Sequence, residues 1–195
     1  MTSQEEEDLW SRFQDDSQQA FETIYTTYFS VLFHYGYHIA PNEELVKDCI
    51  QTLFVELWRS RRTLSHTTSV KFYLLKAMRR KVYHSLRKEE QYTTYIPGSD
   101  DNHTTFSPEL DLIRQQTDDH QQETLRQAIE HLSHRQKEAI TLLYIEGLSY
   151  PEISDMMSIK VRTVYNLVHT ALESLRRYLN QPGTLMVLAL FVANL

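Results

Sequence analysis

Residues 147–177 read GLSYPEISDMMSIKVRTVYNLVHTALESLRR, and two helical patterns are packed into them. Ser149 followed three residues later by Glu152 has the spacing of a capping box, and Glu146-Gly147 before it suits the end of an earlier helix. The spacing predicts a short helix from Tyr150, with Ile153, Met156 and Met157 turned inward. After Ser158-Ile159 a longer helix is expected near Val161, with an apolar stripe of Val161, Val164, Val168, Ala171, Leu172 and Leu175. Its other face carries Arg162, Thr163, Tyr165, Asn166, His169 and Thr170, with Lys160 at the mouth and no acid before Glu173. Helix, short turn and helix with such a face is the helix-turn-helix arrangement, whose second helix enters a DNA major groove. Arg, Asn, Thr and His can bond base edges there, and Lys160 suits a phosphate. The same outline also occurs in all-α proteins that never touch DNA, so spacing alone leaves both readings open.

Charge along the rest of the chain narrows the choice. The net charge of the 195 residues is -6, yet Arg59 to Lys88 holds ten basic residues and no acid. Met1 to Trp58 has two basic residues against eleven acidic, and Glu89 to Thr124 has one against nine. Half of the positive charge therefore lies in one short segment, as a surface facing a polyanion requires. Hydrophobic content of 41% and charged content of 24% suit a soluble globular protein, and the few glycines and prolines favour long helices. Cys49 is the only cysteine, which excludes an internal disulfide and fits a reducing compartment. The acidic start MTSQEEEDLW is unlike a secretory signal, and the apolar run LMVLALFVANL near the C-terminus is about half of what a membrane span needs. A cytoplasmic protein is expected.

Glu6 to Arg62 reads as helices, and three helical segments stand out before residue 89. Phe21, Ile24, Tyr25, Tyr28, Phe29, Leu32 and Phe33 recur at three- and four-residue steps. Pro41-Asn42 opens a second helix, with Glu43 and Glu44 at its positive end and Leu45, Val46, Cys49, Ile50, Leu53, Phe54 and Leu57 on its apolar face. A third, from Ser69 to about Lys88, turns Phe72, Leu75, Met78, Val82 and Leu86 inward and its basic residues outward. Residues 89–122 read as an acidic linker, 123–180 as the second helical domain and 181–195 as an apolar tail. The fold class expected is all-α: two small helical domains joined by the linker.

LSHRQKEAITLLYIEGLSYPEISDMMSIKVRTVYNLVHTALESLRR resembles the fourth conserved region of bacterial RNA polymerase sigma factors of the extracytoplasmic-function (ECF) group. Leu132, Gln136, Glu146 to Tyr150, Glu152, Ile153, Val161, Thr163, Val164, Ala171, Leu172, Leu175 and Arg176 stand in register with that family's pattern. Asp48, Gln51, Phe54 and Trp58 match the hallmark of the family's second region, and VKFYLLKAMRRKVYHSLRK resembles the part of it that melts and reads the minus-ten promoter element. Departures stand at Thr52, Arg80, His84, Ser158, Lys160, Leu167 and Thr170, which leave the architecture intact but not the promoter sequence legible.

The resemblance implies a factor that binds core RNA polymerase and promoter DNA, with no small-molecule substrate, cofactor or metal and no catalysis. Lys160, Arg162, Thr163, Tyr165, Asn166, His169, Thr170, Arg176 and Arg177 would meet the minus-thirty-five element. Arg61, Arg62, Lys71, Tyr73, Lys76, Arg79, Arg80, Lys81, Tyr83 and Arg87 would meet the minus-ten element, and the loop from about Thr63 to Ser69 would hold a flipped base. Phe72 is set aside as core packing. Asp48, Gln51, Phe54, Glu56 and Trp58 would bind the polymerase clamp, Phe54 and Trp58 partly as core. An anti-sigma factor, often membrane-bound in the family, is a further implied partner. The linker reads as a solvated tether or, more sharply, as an acidic shadow of nascent RNA; the tail reads as a regulatory segment.

Other classes fit less of the chain. Neither His34/His38 nor His131/His134 has the supporting ligands of a metal site, and no phosphate loop or nucleophile motif is present. A free-standing helix-turn-helix regulator accounts for the C-terminal half but not for Asp48 to Trp58 or the basic segment. An acidic scaffold accounts for neither.

Overall fold

The computed structural model describes residues 3–93 and 128–179. The chain divides into two compact units, Met1–Phe106 and Ser107–Leu195. Every regular element among the described residues is helical.

The first unit contains α1 (Ser3–Gln14), α2 (Gln18–Ile39), α3 (Glu43–Ser60), a single 3-10 turn (Arg61–Thr63) and α4 (Val70–Thr93). Ser17 caps α2 by accepting the Ala20 N–H at 3.2 Å, and Asn42 caps α3 by accepting that of Leu45 at 3.1 Å. The α2 stripe divides in two. Ile24, Tyr28, Leu32 and Tyr35 are buried, whereas Phe21, Phe29 and Phe33 are half-buried and Tyr25 is 39% exposed. All seven apolar residues expected inside α3 are buried. Gly36 lets the helices close in, since a Cβ there would stand 2.5 Å from Met78 Cε and 3.0 Å from Val46.

Two expectations for α4 need correction. Phe72 and Leu86 are half-buried, while the core takes Val70, Leu74, Leu75, Met78 and Val82. α2 and α3 both pack on α4, so its buried band is wider than one stripe and is centred on Leu74-Leu75. The helix also runs past Lys88 to Thr93, because Lys88, Glu89, Glu90 and Gln91 are good helix formers and no breaker intervenes. The linker beyond Thr93 and the tail 181–195 lie outside the described residues. α1 was not singled out in the sequence, yet Leu9, Trp10 and Phe13 are buried at 3%, 0% and 0% exposure.

The second unit is the helix-turn-helix. Ser133 and Gln136 form a capping box at the start of α5 (His134–Ile140), which continues as one π-helical stretch, Thr141–Ile145. Gly147 at φ +67 ends it in the left-handed region, as a C-terminal glycine should. α6 (Tyr150–Met157) follows, the Glu152 carboxylate accepting the Ser149 N–H at 2.7 Å and its hydroxyl at 2.5 Å. Ser158 takes the left-handed turn at φ 55, and the Ser154 hydroxyl donates to the Ile159 carbonyl at 2.6 Å, fixing the turn. α7 (Val161–Leu179) then buries Val164, Val168, Ala171 and Leu175. Val161, expected on that stripe, is 37% exposed because it is the first residue at the open end of the helix.

Candidate nucleic-acid interface

Burying Val164, Val168, Ala171 and Leu175 obliges α7 to turn its remaining faces outward. Lys160, Arg162, Thr163, Tyr165, Asn166, His169, Thr170, Arg176 and Arg177 are all exposed. They do not all have equal freedom. The Thr170 hydroxyl accepts from Gln136 Nε2 at 3.0 Å and donates to the Asn166 carbonyl at 2.8 Å, which ties α7 to α5. His169 Nδ1 stands 3.7 Å from a Glu173 carboxylate oxygen. Tyr165 stacks on Tyr150 with centroids 3.9 Å apart and planes 13° from parallel, yet is still 53% exposed. Burial, with Tyr144 and Tyr165 close by, pushes the Tyr150 hydroxyl pKa up, so it stays a neutral donor. Tyr150 was not foreseen; the α6 start and the α7 stripe are both legible, but not that they set two rings face to face.

On α4, Tyr73, Lys76, Arg80, Tyr83 and Arg87 follow one another at alternating steps of three and four, which places them on one face. Arg80 and Arg87 are exposed and the other three half-buried. Tyr73 lies against Trp10, centroids 5.0 Å apart, and burial raises its pKa while the Arg80 charge opposes the rise. Lys76 lies 5.8 Å from the Phe72 ring centroid and Arg79 4.6 Å from that of Tyr83, so aromatic faces and cations alternate. Lys71 is half-buried near the start of the helix.

Three of the foreseen cations are paired with carboxylates. Lys81, 19% exposed, pairs with Glu56 on α3 at 2.7 Å. Arg61 gives Nε to Asp16 at 2.5 Å and lies 4.1 Å above the Trp58 ring. Arg62 also donates to Asp16 but is 72% exposed, and this hydrogen bond holds the Asp16 carboxyl below its ordinary pKa range. Arg61 and Lys81 thus brace the unit, whereas Arg62 is presented.

Of the foreseen α3 residues, Gln51, Phe54 and Trp58 line a separate groove between α2 and α3, and Asp48 and Glu56 lie outside its lining. Asp48 and Gln51 are exposed, Glu56 is exposed but paired, Phe54 is 3% exposed and Trp58 is half-buried. Phe54 makes the floor, its ring 4.8 Å from Tyr25 and 5.9 Å from Phe21; Trp58 closes one end, 5.0 Å from Phe21. The lining also includes residues outside the foreseen set, among them the cations Lys47 and Arg59 and the exposed apolar residues Val55 at 43% and Tyr25 at 39% exposure. A signal existed for Val55: it follows Asp48 and Gln51 at helical spacing, an apolar residue on the polar face. Among the described residues no cluster of His, Cys, Asp and Glu could hold a metal, and no helix is long and apolar enough to cross a membrane.

The two units match separate models of one family. Residues 24–92 match sigma-70 region 2, and residues 122–175 match sigma-70 region 4. The ECF RNA polymerase sigma factor SigX of Bacillus subtilis (strain 168) is 22% identical over 165 residues, covering 83% of this chain and 84% of SigX. The RNA polymerase sigma factor CarQ of Myxococcus xanthus is 25% identical over 170 residues, covering 87% and 95%. The fold is shared with the sigma factor RpoE of Bartonella quintana, solved with the anti-sigma factor NepR: TM-score 0.66, 18% identity, 83% of this chain and 98% of that one. It is shared too with CnrH, solved with the cytosolic domain of CnrY: TM-score 0.63, 18% identity, 89% and 96% coverage. With both conserved regions matched in order along most of its length, the chain belongs to the sigma-70 family, as an ECF sigma factor that directs promoter-specific initiation of transcription.

Proposed function

We propose a division of labour in which α7 reads the minus-thirty-five element as duplex, α4 and the loop before it engage the separated minus-ten strand, and the α2–α3 groove takes the clamp of core polymerase. The observation that carries this reading is the sorting of charge between faces. The α7 face is acid-free from Lys160 to Thr170, and α4 carries Lys76, Arg80 and Arg87 on one stripe in a chain of net charge -6. Tyr165, Asn166 and His169 are the base-facing set; Lys160, Arg162, Arg176 and Arg177 suit phosphates. On α4, Lys71, Lys76, Arg79, Arg80 and Arg87 with exposed Arg62 supply attraction to phosphates, while Tyr73 and Tyr83 offer ring faces to unpaired bases. The loop Thr63 to Ser69 is the capture point for a flipped base.

In this reading residues 1–88 form the polymerase- and minus-ten-binding domain, 123–180 the minus-thirty-five domain, and 89–122 the tether. The factor works in the cytoplasm beside polymerase, catalyses nothing itself, and is held in check by an anti-sigma factor, as the solved relatives' complexes suggest.

Salt titration of promoter binding by the holoenzyme separates the two DNA-reading roles. Arg80→Ala is expected to weaken every promoter alike and to reduce the salt slope by about 0.7–0.9, the contribution of one phosphate contact. Asn166→Ala is expected to relax discrimination at one minus-thirty-five position by about 1–3 kcal/mol. An unchanged slope in the first case, or uniform loss across sequences in the second, contradicts the assignment.

A further inference from the structure

Glu6, Trp10 and Gln14 are spaced four apart on α1 and so share one face. Each commits a polar group to the segment joining α3 to α4, in reverse order along it. The Glu6 carboxylate accepts the Val70 N–H at 2.8 Å, capping α4, and also the Tyr28 hydroxyl at 2.8 Å. The Trp10 indole N–H donates to the Ser65 carbonyl at 3.1 Å. The Gln14 side-chain amide donates to the Leu64 carbonyl at 2.6 Å. Just beyond the helix, Asp16 takes both Arg61 and Arg62. Asp16 does so at φ 70, a left-handed conformation that a non-glycine residue seldom adopts, aspartate being among the more tolerant. The segment 61–70 is therefore tied to the N-terminal helix and its exit at four levels.

The inner side of that segment is occupied by these bonds and the outer side is not. Ser65, His66 and Thr68 are exposed. Thr67 and Ser69 bond each other, and the Ser69 hydroxyl accepts the Phe72 N–H at 3.2 Å. Two α1 bonds fall on Leu64 and Ser65, at the entry to the exposed tip. A loop that had to order itself at the moment of capture would lose much of its binding free energy to conformational entropy; one already ordered would not.

We propose that Glu6, Trp10, Gln14 and Asp16 are positioning residues for base capture, with α1 acting as a splint that holds 64–69 in the shape that receives an unpaired base. This rests on the reading of the loop as the capture point. The test uses holoenzyme made from core polymerase and the full chain, with single-stranded minus-ten oligonucleotides that are intact or carry one abasic site at each position in turn. Wild type is expected to favour the intact strand over the abasic one at one position. Gln14→Ala and Trp10→Phe are each expected to reduce that ratio about three- to ten-fold, the range for one lost hydrogen bond. Rotating the loss onto intact and abasic strands equally would mean a generally softened fold and would overturn the proposal, as would a wild-type ratio in both variants. Absence of any preference in wild type would instead strike down the capture reading itself.

Discussion

Trp10→Ala should lower the stability of the N-terminal unit by about 3–5 kcal/mol, the range for emptying a large aromatic site in a packed core. Trp10 is fully buried, its ring 5.3 Å from Phe13 and 5.0 Å from Tyr73, and its indole N–H is spent on the Ser65 carbonyl. Truncation leaves a cavity beside Phe13 and Tyr73 and strands that carbonyl. Small domains have a net stability of only about 5–15 kcal/mol, so such a loss is a large fraction of the whole. The chain contains two tryptophans, so in this variant Trp58 is the single remaining indole and its fluorescence reports on the first unit alone. Urea unfolding followed at Trp58 should show the midpoint falling steeply. The helix-turn-helix has its own core of Ala128, Leu132, Ala171 and Leu175, so binding of a minus-thirty-five duplex should persist in urea that has already unfolded the first unit. An unchanged midpoint would mean that α1 is peripheral, contrary to its burial.

That α1 carries so much of this unit was not legible in the sequence, and the reason is physical. Its apolar residues Leu9, Trp10 and Phe13 are too few to give a sustained period beside Glu5, Glu6, Glu7 and Asp8, so the segment reads as helical without its buried face being legible. Part of its worth lies in contacts to residues distant in sequence, such as Trp10 to Ser65 and Glu6 to Val70, which no local pattern encodes. α3 and the helix-turn-helix were legible because caps, breakers and apolar steps all agreed: Asn42, Ser149 with Glu152, Gly147 and the α7 stripe do in the structure what their spacing says. The candidate DNA faces were legible as composition, but not the division within them. Charge counting cannot tell Arg62, which is exposed, from Arg61, which is folded onto Trp58 and Asp16, because the difference arises from a turn near residue 16. Likewise Phe54 and Gln51 are three apart in the same motif, yet one is floor and the other rim.

That distinction decides how the proposed polymerase groove should be probed. Phe54→Ala would be ambiguous, because a residue at 3% exposure contributes to the core and its loss destabilises the fold as well as the groove. Val55→Asp avoids the difficulty. Val55 is 43% exposed and belongs to the groove lining between Tyr25 and Trp58, so a carboxylate there stays hydrated in the unbound protein and should shift stability by no more than about 0.5 kcal/mol. When a partner helix covers the groove, the same carboxylate loses its water against an apolar surface, a cost only partly offset by Arg59 one helical turn on and one that falls only on the complex. Core-polymerase affinity is therefore expected to fall by about a hundredfold, measured by competition against an unlabelled wild-type factor, while the thermal midpoint and minus-thirty-five binding by the isolated factor hold. Gln51→Ala, at the rim, should cost less than about 1 kcal/mol by the same measure, since solvent-exposed interface polars contribute little. Wild-type core affinity in Val55→Asp would show that the clamp seats elsewhere, and the aromatic groove beneath Tyr25 would then need another partner.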